Sequence, residues 1–151
     1  MLLHKTIASV FGIGFIRGGG TIAAALYCII WWLLPAALQH TWWQAVIVLI
    51  ICCMGTWSAN KVDSQWGKDS SRVVIDEVSG MAIALFYMPH HWQYVTVALA
   101  LFRFFDIVKP LGVQQMEKLP LGYGVMADDI LAGLYAFIIL KMVVLLQLLP
   151  V

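Results

Sequence analysis

Thr21-Ile22-Ala23-Ala24-Ala25-Leu26-Tyr27-Cys28-Ile29-Ile30-Trp31-Trp32-Leu33-Leu34-Pro35-Ala36-Ala37-Leu38 is the stretch that decides the fold class. It carries no charge and is close to the ~20 apolar residues that cross a ~30 Å hydrocarbon layer as a helix. Outward from it, no Asp, Glu, Lys or Arg occurs from Gly18 to Asn60. Pro35 and the polar patch Gln39-His40-Thr41 end this first helix. Trp42 to Trp57 follows as a second apolar helix, slightly short for a span. Trp31, Trp32, Trp42 and Trp43 flank the turn, as tryptophans do at a membrane–water boundary. The pair reads as a spanning hairpin. Two crossings return the chain to its starting side, so Lys5 and Arg17 share a face with Lys61, Lys68 and Arg72. The basic bias makes that face cytoplasmic.

Composition agrees. Of 151 residues, 62% are hydrophobic and 11% charged, and mean hydropathy is +0.89. Soluble domains lie nearer ~45–50% apolar and ~25% charged. A soluble enzyme, a disordered tail and a disulfide-stapled secreted module are therefore excluded. Nine basic against eight acidic residues give a net charge of +1 with no basic run, so nucleic acid is not an expected partner. Cys28, Cys52 and Cys53 lie in apolar runs without metal-site spacing and read as packing residues. Residues 1–10 are too short and too lightly charged for a cleaved signal peptide.

The expectation is one all-α, membrane-embedded domain over residues 1–151. It is polytopic, with about three spanning helices plus a short or re-entrant helical hairpin. The hairpin is the uncharged stretch 78–102. As one helix it would place Pro89-His90-His91 at mid-bilayer, where a proline and two histidines are costly. As two helices of about 11 residues, ~16 Å each, it returns 103–129 to the side of 61–77. Its tip, Met88-Pro89-His90-His91-Trp92-Gln93, echoes the tip of the first pair, and the two histidines read as interfacial. Ile130 to Val151 forms a terminal apolar helix broken only by Lys141 and Gln147.

Seven of the charged side chains fall in 61–77 and seven in 103–129, so any chemistry belongs to those segments. Asp76-Glu77 closes the first and Asp128-Asp129 the second, each just before an apolar helix. Helix capping explains one acid of each pair. It does not explain adjacent acids at both membrane entrances, whereas a metal site does. Asp106 joins them in Phe102-Arg103-Phe104-Phe105-Asp106-Ile107-Val108-Lys109-Pro110. Arg103, Asp106 and Lys109 are spaced three apart and share a helix face, either as a surface ion-pair ladder or as a functional face at the membrane boundary. Oxygen ligands suit a hard cation, Mg²⁺ above all; Arg and Lys beside them suit a phosphate. Gly12-x-Gly14 and Gly18-Gly19-Gly20-Thr21 enter a helix, where free N–H groups hold phosphate, although membrane helices also use glycine for close packing. The motifs of thiol, aspartyl-phosphate and histidine-based lipid phosphatases and of CDP-alcohol phosphotransferases are missing.

Three ordered segments, Lys68-Asp69-Ser70-Ser71-Arg72 through Asp76-Glu77-Val78-Ser79-Gly80, then Phe102 to Pro110, then Gly122-Tyr123-Gly124 through Asp128-Asp129-Ile130-Leu131-Ala132-Gly133, resemble the phosphatidylglycerophosphatase A family. The resemblance spans roughly residues 12–140. This chain departs from the family at Arg17-Gly18-Gly19-Gly20-Thr21, where prolines are usual, and at Lys109-Pro110-Leu111-Gly112, where Lys-Pro-Trp-Pro is usual. The resemblance implies a Mg²⁺-dependent phosphatase of the bacterial inner membrane, converting phosphatidylglycerophosphate, a phospholipid in the bilayer, to phosphatidylglycerol and inorganic phosphate. Under that reading Asp76, Glu77, Asp106, Asp128 and Asp129 bind the metal, with Glu77 a ligand or the base that orients water. Arg103, Lys109 and Arg72 stabilise the phosphoryl charge, Thr21 and Gly20 hold a phosphate oxygen, and Asp69 is a weaker, outlying candidate. The alternatives are a phosphatase for another lipid phosphate, such as a polyprenyl phosphate, and a non-catalytic ion-binding membrane protein.

Overall fold

The computed structural model describes residues 1–39, 41–68 and 70–149, and among them every regular element is helical. In chain order these are α1 (Leu2–Ala8), α2 (Gly19–Trp32), α3 (Thr41–Trp66), α4 (Ile75–Ala84), α5 (Trp92–Val108), α6 (Val113–Met116) and α7 (Gly122–Leu145), with 3-10 turns at Ile13–Phe15 and Ala36–Leu38. The central element is α4, which packs on α2, α3, α5 and α7. Around it lies one core of Met81, Leu85, Tyr94, Phe102 and Leu140; a second cluster of Ala8, Ala59, Val62 and Met126 joins α1 and α7 to the polar half of α3.

Local chemistry sets the boundaries. α2 follows Gly18, whose φ of 79° is the left-handed conformation glycine adopts freely. It stops at Trp32, ahead of Pro35, since a residue before proline is pushed out of the helical region. The expected second helix, Trp42–Trp57, continues to Trp66. Ala59 and Val62 bury one side of that extension while Lys61 stays exposed, so the helix outlasts its apolar run.

The 78–102 stretch is two helices, as the hairpin reading requires, broken between Ala84 and Trp92. The break is pinned at Tyr87, a non-glycine residue at φ 51°. Its N–H donates to Gln44 Oε1 at 2.6 Å, and its carbonyl accepts Lys141 Nζ at 2.9 Å. The His90 ring stacks on Trp31 at 3.9 Å. The hairpin tip therefore reaches the α2–α3 end of the bundle, opposite the charged end.

Among the described residues one helix, Trp42–Trp66, is long and apolar enough to cross a membrane. That is fewer than the three or so spans expected. α2 has only 14 residues, ~21 Å at 1.5 Å each, and α7 carries Asp128, Asp129 and Lys141. The terminal helix also begins at Gly122 rather than Ile130, and residues 150 and 151 lie outside the described part. Gly122 lets the first turn of α7 lie on α3: a Cβ there would sit 2.5 Å from the backbone at Ala59 and Asn60.

Candidate active site

The site begins with two glycines. Where α4 crosses α7, a Cβ on Gly133 would lie 2.3 Å from the Gly80 carbonyl oxygen, and one on Gly80 would lie 2.7 Å from the Asp129 carbonyl oxygen. Backbone meets backbone there, which only residues without a side chain permit. One turn N-terminal of each glycine, on the same helix face, stands a carboxylate, Asp76 on α4 and Asp129 on α7. The crossing brings them together, and Asp76, Glu77 and Asp129 each present an oxygen within 4.8 Å of the others. Asp76 and Asp129 are 6% and 3% exposed.

Asp106 adjoins this trio from α5. Its charge acts on Asp129, and it accepts a hydrogen bond from Arg103 one turn away. The same guanidinium lies 3.8 Å from Glu77 Oε1. Asp128 points elsewhere: Lys109 Nζ donates to its Oδ2 at 2.7 Å and also to Glu117 Oε1. Lys109 leaves the Arg103–Asp106 face because α5 ends at Val108, and Lys109 caps it in the left-handed conformation at φ 51°, ahead of Pro110. Neither acidic pair supplies the N-cap residue, which is Val74 in α4 and Leu121 in α7, although Asp76 Oδ1 accepts the Glu77 N–H at 3.1 Å in the first turn of α4. Asp76 and Glu77 occupy the first turn of α4, and Asp128 and Asp129 lie inside α7.

So many carboxylates at close range are costly. Two ionised groups 4.8 Å apart repel by about 3 kcal/mol at an effective dielectric near 20. Burial first, and then the charges of Glu77, Asp129 and Asp128, hold Asp76 well above the usual carboxylate range. Burial also pushes Glu77 up, against the lowering by its hydrogen bond with Asp76 and by Arg103. Glu77 Oε2 is buried with no hydrogen-bond partner. One guanidinium shared among four carboxylates leaves an excess of negative charge and an unsatisfied oxygen, and this all-oxygen donor set fits a hard divalent cation.

Glu77 and Arg103 also line a cavity of about 670 Å³. The glycine loop from Gly14 to Thr21, with Ser71 and Arg72, lines the same cavity. The loop is pressed onto its surroundings. A Cβ on Gly20 would lie 1.9 Å from Glu77 Oε1, and one on Gly14 would lie 2.0 Å from the Arg72 carbonyl oxygen. The first-turn N–H groups of α2 have no intrahelical acceptors; Gly19 donates its own to the Ile16 carbonyl at 2.9 Å, and Gly20 and Thr21 line the cavity.

Of the residues singled out in the sequence, Asp76, Glu77, Asp106, Asp129 and Arg103 come together, and Gly20, Thr21 and Arg72 line the adjoining cavity. Asp128 and Lys109 form a separate ion pair outside it. Asp69 lies outside the described residues. Sequence reasoning missed Arg17, Ser71 and Glu117. Arg17 had a signal, a basic residue abutting the glycines at a helix entrance, but it was read only for topology. Glu117 stands alone between Lys109 and Asp128 and carried none.

Residues 6–144 match the family model described as Phosphatidylglycerophosphatase A. A Bacteroides thetaiotaomicron protein, whose name gives a provisional phosphatidylinositol-3-phosphatase assignment, is 55% identical over 57% of this chain and 56% of its own length. A Haemophilus influenzae phosphatidylglycerophosphatase A is 42% identical over 57% of this chain and 55% of its own. The Escherichia coli phosphatidylglycerophosphatase A is 37% identical over 43% and 39%. The matched region thus spans about half or less of each relative. No solved structure matches.

Proposed function

This chain belongs to the phosphatidylglycerophosphatase A family, and from that premise we propose that it hydrolyses the terminal phosphate monoester of phosphatidylglycerophosphate, giving phosphatidylglycerol and inorganic phosphate. The observation that carries the reading is a buried carboxylate trio sharing Glu77 and Arg103 with a glycine- and arginine-lined cavity. Asp76, Glu77 and Asp129 would hold Mg²⁺, with Asp106 at the edge of the cluster. Bound there, Mg²⁺ supplies charge neutralisation at phosphate oxygens and a lowered pKa for water.

The rest falls to the chain itself. Arg103, with its Nε buried and unpartnered, donates to the phosphoryl oxygens as negative charge builds on them. The first-turn N–H groups at Gly20 and Thr21, beside Glu77, bind the phosphate as well. Glu77, whose Oε1 abuts Gly20 and whose Oε2 is buried without a hydrogen-bond partner, orients the attacking water and accepts its proton. The phosphate–glycerol oxygen bond breaks, and the alkoxide leaving group takes a proton from solvent.

We place the protein in the bacterial cytoplasmic membrane as a multi-pass protein with the site on the cytoplasmic side. Supporting this, Leu49, Ile50 and Met54 on α3 and Ile138, Ile139 and Met142 on α7 face outward, and Arg17, Arg72 and Arg103 gather at the site while Lys141 meets the hairpin tip. Lipid-facing surfaces look like this. The acyl chains then stay in the bilayer while the headgroup enters the cavity. The Bacteroides relative's name supports a second reading, a different phosphorylated headgroup on the same machinery. Phosphate release from phosphatidylglycerophosphate and phosphatidylinositol 3-phosphate, competed in mixed micelles, separates the two: preference for the first supports the proposal, preference for the second replaces it. A cation carrier is disfavoured by Arg103 beside the carboxylates.

A further inference from the structure

The cavity is larger than one phosphate needs, and three arginines, Arg17, Arg72 and Arg103, line it. At about 670 Å³ it falls in the ~300–1,000 Å³ range of sites that take entire small molecules. Arg103 stands at its carboxylate end, beside Glu77. Arg17, Ser71 and Arg72 line the same cavity, with Arg72 held over the Phe15 ring at 5.9 Å. Neither Arg17 nor Arg72 forms an ion pair with an acid among the described residues, in contrast to Arg103 and Lys109.

The segment that carries Arg72 is fixed rather than loose. The Arg72 carbonyl lies against Gly14, Gly19 lies against the Ile13 carbonyl, and the Val74 N–H donates to the Ala8 carbonyl at 2.9 Å. These contacts fix the 71–74 segment to α1 and to the glycine loop that carries Arg17.

We infer that this cavity is a two-anion site: Arg103 and the α2 N-terminus take the phosphate monoester that is cleaved, and Arg17, Arg72 and Ser71 take a second phosphate, the diester that joins the headgroup to the lipid. The charges divide accordingly. A diester carries one negative charge, which Arg17 and Arg72 meet with no acid partner of their own among the described residues, while the monoester, at about −1.5 to −2 at neutral pH, falls to Arg103 and to the cation that the carboxylates would hold. Arg17 and Arg72 thereby set specificity for lipids that carry both a phosphodiester and a separate monoester on a small polyol, over lipids whose sole phosphate is the monoester. This rests on the lipid-phosphatase reading above and names the part of the substrate that selects it.

The test uses the full chain in detergent and two substrates with matched acyl chains. Phosphatidylglycerophosphate has both phosphates; phosphatidic acid has the monoester alone. The wild type is expected to favour the first in kcat/KM. Arg17→Ala and Arg72→Ala should each cut that preference about tenfold, the loss expected for one charge-assisted hydrogen bond, mainly through KM. Arg72→Lys should recover part of it. Arg103→Ala should instead lower kcat on both substrates. If the ratio of the two substrates is unchanged in Arg17→Ala, Arg72→Ala and the double variant while phosphate is still released, the two-anion site is overturned and the phosphatase reading stands. If folded wild type releases phosphate from neither lipid, both fall. Arg17 and Arg72 are exposed and hold no core contact, so the variants are expected to fold.

Discussion

At the residue scale, the carboxylates divide by partner. Asp129 belongs to the trio, so Asp129→Asn should leave the fold intact and lower phosphate release by a hundredfold or more, in line with removal of a preorganised charge-stabilising group. Turnover within tenfold of wild type would remove Asp129 from the machinery. Asp128 instead depends on Lys109. Lys109→Ala would leave a buried carboxylate with no cation in contact, a loss of about 3–5 kcal/mol seen as earlier thermal unfolding. Adding Asp128→Asn should restore much of it, because a neutral amide tolerates burial without a charge partner. Asp76 and Glu77 give a pH signature. Their folded pKa values are raised, so with divalent metal chelated the native state binds more protons than the unfolded chain above the ordinary carboxylate range. Stability then falls as pH rises through the folded values and recovers on acidification. Thermal scans in EDTA across neutral to mildly acidic pH should show melting rise as pH drops, and saturating Mg²⁺ should reverse the trend near neutrality.

At the element scale, the α4–α7 crossing is what assembles the site. Gly133→Ala drives a methyl group against the Gly80 carbonyl, which cannot move as a flexible side chain could. About 1–3 kcal/mol of destabilisation follows, with a larger loss of activity as Asp76 and Asp129 separate. Thermal unfolding and phosphate release on the same sample check both; an unaffected enzyme would mean that the crossing does not set the site. This is also where the sequence was least legible. Asp76, Asp106 and Asp129 stood out by type and position, and the break at Pro89 was readable because a proline and two histidines do not suit mid-bilayer. The partition of Asp128 from Asp129 was not readable, since it depends on where α7 starts. Gly122 and Gly124 look like a turn in one dimension, yet they form the first turn of a helix lying against α3 and the Glu117 carbonyl. Lys109 diverges from the Arg103 face for a similar reason: three-residue spacing keeps it there only while the helix continues, and α5 ends at Val108.

At the scale of the whole molecule, the bundle has a charged end and an aromatic end. Trp31 and His90 stack at one, while Lys61, Arg72, Arg103 and Lys118 gather toward the other. The proposed orientation puts position 118 in the cytoplasm. With Cys28, Cys52 and Cys53 replaced, a cysteine at 118 should resist impermeant thiol reagents in intact cells and react after permeabilisation; labelling from outside would invert the topology. The central claim, a metal-dependent phosphatase built on Asp76, Glu77 and Asp129, is tested most directly by phosphate release from phosphatidylglycerophosphate with purified protein, first with Mg²⁺ and then with EDTA. The account predicts release that chelation stops and added Mg²⁺ restores. Release that persists at full rate in EDTA would contradict it.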